Sequence, residues 1–161
     1  MLFLEGIIEY NEFLRQRFEQ TGKTEDLLKY VISETLSPLE DHVNAVKIIR
    51  ENKSRHKNST LFIIGAYLVI DWTWDGAEND LLNDLTEMQD QLSEQELAIM
   101  HYLMAEQLTK GQRCPPDSAY QHLLKSMQYK GPFVNNRLLN IFLMKSAVAT
   151  MDTSSSISTK S

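Results

Sequence analysis

Cysteine occurs once in this chain, at Cys114. A single thiol cannot close an internal disulfide, and without a Cys-x-x-Cys neighbour it does not make a thiolate metal site. A reducing, cytoplasmic setting is the matching expectation. Long apolar runs are missing too: the longest, residues 61–70, is about half of the ~20 residues that a membrane-spanning helix needs. That stretch reads as a buried core helix, and no membrane partner is expected. Residues 1–9 carry Leu2, Phe3 and Leu4, but Glu5 and Glu9 interrupt them and no basic stretch precedes them, so they do not read as a signal peptide. Positive charge is in deficit, with 16 Lys and Arg against 22 Asp and Glu and a formal net charge of -6. Sequence-independent nucleic-acid binding depends on cations that release phosphate counterions, so nucleic acid is not an expected partner. The six glycines stand alone at breaks and form no phosphate-cradling loop.

What remains is an ordinary globular composition, 42% hydrophobic and 24% charged, sufficient for a real core. The expectation is one helical domain over residues 1–149 and a disordered tail over 150–161, where Ser, Thr and Lys dominate. Helical periodicity recurs throughout. Residues 2–20 place Leu4, Ile7, Ile8, Phe13, Leu14 and Phe18 at helical spacing, and Gly22 ends that helix. Thr24 begins the next, with Leu27, Leu28, Val31 and Ile32 apolar. Ser37-Pro38 breaks the chain, and a third helix is expected over residues 38–52 with an apolar face of Leu39, Val43, Ala45, Val46 and Ile49.

The end of that helix is unusually basic: Lys47, Arg50, Lys53, Arg55 and Lys57 against the single acid Glu51. Cations of this kind complement a helix C-terminus, and an anion-binding patch is the functional alternative. Ser59-Thr60 is expected to cap a fourth helix that is apolar on every side. A fifth is expected over 77–91, a sixth from the capping box of Ser93 and Glu96, and a seventh capped by Asp117 or Ser118 after Cys114-Pro115-Pro116. An eighth is expected over 133–149, after Gly131-Pro132. The fold class is therefore all-α, with about eight helices.

Short breaks between helices invite a search for a period. Leu27, Tyr30 and Val31 stand 34 positions before Leu61, Ile64 and Gly65, each trio opening a helix pair. Leu61, Ile64, Gly65, Leu68, Ala77 and Leu81 then follow in order across the turn at Asp75-Gly76, and His101, Met104, Ala105, Leu108, Ala119 and Leu123 mark a third pair. This pattern resembles divergent tetratricopeptide-like repeats over residues 24–131, most closely at 59–91, and departs from that family's pattern at Asp84 and Gln89. The resemblance implies antiparallel hairpins stacked as a short right-handed superhelix, with small residues such as Gly65 at helix crossings. It also implies a partner groove lined by Phe62, Ala66 and Val69 in the second pair and by Tyr102, Glu106 and Lys110 in the third. On that register Phe62 and Tyr102 should keep exposed apolar area.

Residues suited to catalysis are thinly spread. His42, His56, His101 and His122 show no spacing that would put two metal ligands on one helical face. Asp41 with His42, and Asp117 with His122, could serve as acid–base pairs, and nothing near Cys114 in sequence lowers its pKa. Nine carboxylates lie between Asp71 and Glu96 without a calcium-loop order. No metal or cofactor is expected. Trp72 and Trp74 flank Thr73 and suit either covering a core end or anchoring a partner, and Asn135-Asn136-Arg137 suits either capping or holding a peptide. The functional expectation is a non-catalytic protein- or peptide-binding module. The alternatives are a small helical enzyme built from distant residues such as His101, Glu106 and Asp117, or a self-associating subunit that buries the Trp72 and Trp74 region as a homodimer.

Overall fold

The structure is a computed structural model that describes residues 2–35, 41–72 and 78–129, without the side chains of residues 2–4. The all-α fold class holds: the described residues form seven α-helices and one 3₁₀ turn, with no strand among them. The chain divides into two compact units, Met1–Trp72 and Thr73–Ser161.

The first unit holds α1 (Leu2–Thr21), α2 (Thr24–Thr35), α3 (His42–Asn52) and α4 (Ser59–Trp72), each packed on the next. Gly22 stops α1 in the left-handed region at φ 63°, and its N–H donates to the Phe18 carbonyl at 2.7 Å. This is the αL helix stop that glycine makes without steric cost. Asp26, buried at the start of α2, ties the corner: it accepts from Thr21 Oγ1 at 2.5 Å and faces Arg17 Nε at 3.3 Å. A buried carboxylate is tolerable because it is both hydrogen-bonded and charge-paired.

Capping explains where the next helices begin. The third starts later than the Ser37-Pro38 break suggests, because Asp41 caps it by accepting from the Asn44 N–H at 3.0 Å. Residues 36–40 lie outside the described residues. Its buried set is Ala45, Val46, Ile48 and Ile49, while Val43, assigned above to the apolar face, is 50% exposed. The fourth helix is capped by Asn58 rather than by Ser59 or Thr60: Asn58 Oδ1 accepts from the Leu61 N–H at 3.1 Å. In α4 Leu61, Phe62, Gly65, Ala66, Leu68, Val69 and Ile70 are all buried, as an all-round apolar sequence requires.

The second unit holds α5 (Asp80–Glu87), the 3₁₀ turn Gln89–Gln91, α6 (Glu94–Thr109) and α7 (Asp117–Gln128). Asn79 caps α5, which is shorter than the 77–91 expected because Met88 leaves helical geometry and the 3₁₀ turn follows. Both halves of the Ser93–Glu96 capping box form at the start of α6. In α7 the cap position falls on Pro116, with Asp117 as the first helical residue, where an acid favours the helix dipole. The α6–α7 hairpin closes on small side chains: Ala105 and Ala119 are buried with Leu123, Tyr102 packs against them, and Ser126 Oγ donates to the Ala98 carbonyl at 2.6 Å. Small residues at the crossing let two helix backbones approach. The expected helix over 133–149, the tail over 150–161, Trp74 and Asn135-Asn136-Arg137 all lie outside the described residues.

Candidate functional site

The site the structure assembles is a groove on the α3–α4 hairpin of the first unit. Two contacts pin that hairpin. At one end His56 Nδ1 meets Thr24 Oγ1 at 2.7 Å and its ring meets Phe18 edge-on at 5.6 Å, fixing the loop after α3 to α1 and the start of α2. At the other end His42 Nδ1 stands 3.7 Å from Asp71 Oδ2, so the last turn of α4 lies beside the first turn of α3. Trp72 follows Asp71, and the antiparallel pairing brings its ring to the α3 face.

Val43, Val46, Lys47, Arg50 and Glu51 fall at i, i+3, i+4, i+7 and i+8, a single stripe along α3. With Trp72 they line a cavity of about 350 Å³. Val46 is buried and forms its base, while Val43 and Trp72 stay exposed at 50% and 47%. Solvent-exposed Lys47, Arg50 and Glu51 complete the rim. Lys47 Nζ stands 3.9 Å from Glu51 Oε1, and an ion pair this exposed contributes little and exchanges readily. The arrangement suits reversible binding of an apolar side chain beside charged groups, and it offers no nucleophile.

The residues placed in a groove by the repeat register fall on α4 and on α6 and its C-cap. Phe62, at 4% exposure, is core, and so are Ala66 and Val69, because α4 is covered or half-covered from Leu61 to Ile70 except at Tyr67. The exposure expected of Phe62 is thus corrected. Tyr102 is half-buried against the Ala105–Ala119–Leu123 cluster, Glu106 is half-buried on α6, and Lys110 is the C-cap of that helix. The first three belong to one unit and the last three to the other.

A second cluster joins residues far apart in sequence. His101 on α6 and His122 on α7, 21 residues apart, meet Nδ1 to Nδ1 at 3.0 Å with ring centroids 5.2 Å apart. Tyr129 also stacks with His101, at 6.0 Å between ring centroids. Burial, then the neighbouring His122 and Lys125, push the His101 pKa down to about 4. Burial, then Lys125, also lowers that of His122. Both rings are therefore neutral near pH 7, and one donates to the other. No group of three His, Cys, Asp or Glu side chains that could hold a metal ion occurs among the described residues. Asp41 acts as a helix cap, not as a partner for His42, and Cys114 is exposed in the loop before α7.

No protein-family model, curated protein or solved structure matches this chain. Among the described residues no helix is long and apolar enough to cross a membrane.

Proposed function

We propose that this chain is a non-catalytic helical module, of the stacked-hairpin kind that tetratricopeptide-like repeats exemplify, and that it binds another protein through the α3–α4 groove. The observation that carries this reading is the pairing of Val43 and Trp72, two large apolar side chains about half exposed that line one cavity. Half-exposed apolar groups around a concavity lose more water on binding than scattered surface residues do. Tryptophan is also among the residues most often found to dominate interface energetics. The hydrogen-bonded His101–His122 pair, by contrast, stacks with Tyr129, feels the charge of Lys125, and reads as a part-buried polar contact that fixes the α6–α7 hairpin.

The test compares proteins captured from native lysate by the wild type and by a Val43→Ser, Trp72→Ala double variant, at a temperature well below the melting midpoint of both. Species retained by the wild type and lost from the variant are expected. Identical capture by both proteins would remove the groove from consideration.

A further inference from the structure

The groove is chemically polar along its length. Its apolar end is Val43 and Trp72, and its charged end, one and two helical turns further along α3, is Lys47, Arg50 and Glu51, two cations and one acid. At a helical rise of ~1.5 Å per residue, the apolar anchor and the cations are separated by roughly 6 to 10 Å. Along the sequence the basic run continues through Lys53, Arg55 and Lys57, so residues 47–57 hold five cations and one acid. The rest of the chain holds eleven cations and twenty-one acids. A helix C-terminus favours one or two cations within its last turn. Lys47 lies in the middle of α3, and Arg55 and Lys57 lie beyond its end, so the dipole does not account for the run.

From this charge pattern we infer that the groove's occupant is an acidic amphipathic segment of a partner protein, one that seats a large apolar side chain between Val43 and Trp72 and sets carboxylates against Lys47 and Arg50. The inference rests on the partner-binding reading above and names the chemistry of the partner. A helix with an apolar residue and glutamates three to seven positions away has the matching spacing. Its carboxylates would displace Glu51 from Lys47, a small loss because that ion pair is solvent-exposed.

Two other anionic partners fit less well. A nucleic acid presents phosphates continuously, and beyond residues 47–57 it would meet a surface with an excess of acids. An anionic membrane surface is bound by protruding apolar side chains, whereas Val43 and Trp72 line a shallow, open cavity.

The experiment titrates the full chain, followed by Trp fluorescence and by anisotropy of labelled probes. The probes are an acidic amphipathic helix of Leu, Glu and Ala, the same helix with Lys for Glu, polyglutamate, a single-stranded oligonucleotide and phosphatidylserine vesicles. The acidic helix is expected to bind best, to weaken as salt rises, and to lose at least about fivefold in affinity with Lys47→Glu plus Arg50→Glu. Trp72→Ala is expected to abolish its binding. Lys47→Gln plus Arg50→Gln, which adds no repulsion, should give an intermediate loss.

Equal or tighter binding of the basic helix, the vesicles or the oligonucleotide overturns the acidic-segment assignment. So does polyglutamate binding as well as the amphipathic helix, because the apolar anchor would then be idle. If the basic helix binds and Trp72→Ala abolishes that binding, the groove remains a partner site and only its ligand class is wrong. If Trp72→Ala changes no probe's affinity, the groove reading itself fails.

Discussion

His101 and His122 come from helices joined by a loop containing two consecutive prolines, yet their Nδ1 atoms stand 3.0 Å apart. One ring must carry hydrogen on Nδ1 and the other must leave that nitrogen bare, so the contact survives only while at least one ring is neutral. An unfolded histidine takes up its proton near ~6.5. In the folded chain His101 does so only near about 4, mainly because burial disfavours the charged ring. Between those values the unfolded state binds more protons, and stability must fall as pH falls.

Urea unfolding midpoints are therefore expected to drop from pH 7 towards pH 4 more steeply in the wild type than in His101→Phe. The carboxylates titrate in both proteins and cancel in the comparison. The lowered pKa of His122 acts in the same direction, so His122→Phe should flatten the slope as well. Parallel pH profiles would mean that His101 is as well solvated folded as unfolded.

The α4 cap gives a local prediction. Asn58 Oδ1 satisfies the Leu61 N–H, one of the donors that a helix start leaves without an internal partner. Asn58→Ala should destabilise the chain by ~1 kcal/mol, whereas Ser59→Ala should change little. Chemical denaturation of the two variants checks the assignment, and the reverse order would return the cap to Ser59.

The corner between α1 and α2 gives another. Adding a Cβ at Gly22 meets no heavy atom within 4 Å, so space does not require glycine there. Its φ of 63° does, because an L side chain in that region clashes with its own backbone. Gly22→Ala is expected to cost about 1 kcal/mol and Gly22→Asn less, since Asn tolerates the left-handed region. Equal stability of all three, measured by thermal melts, would show that the corner adopts another turn.

Helices were legible in the sequence where punctuation was chemical. Gly22, Thr24 and the Ser93–Glu96 box gave boundaries that the structure keeps within a residue or so. Boundaries slipped where two capping groups competed: Asp41 overrode the Ser37-Pro38 break, and Asn58 overrode Ser59-Thr60. The groove was only half legible. Lys47 and Arg50 stood out as charges and Trp72 as an aromatic, but Val43 was assigned to the buried face because periodicity cannot say how wide that face is. Ile48, not Val43, turned out to be covered. The His101–His122 contact depends on how α6 crosses α7, a relationship across 21 residues that no local spacing encodes.

Phe62 and Trp72 separate the packing role of α4 from its binding role. Phe62 is 4% exposed and Trp72 47%, though both are large aromatic residues on one helix. Emptying a buried phenylalanine site typically costs ~3 to 5 kcal/mol, because lost transfer energy and a residual cavity add together. Phe62→Ala should therefore lower the melting midpoint sharply and weaken partner binding only through loss of folded protein. Trp72→Ala removes a side chain that already meets solvent along about half its surface, so its midpoint should fall much less. Measured below the midpoints of both variants, binding should be retained by Phe62→Ala and lost by Trp72→Ala. If Trp72→Ala instead unfolds as readily as Phe62→Ala, the indole closes the end of the α3–α4 core, and the groove it borders is a packing seam.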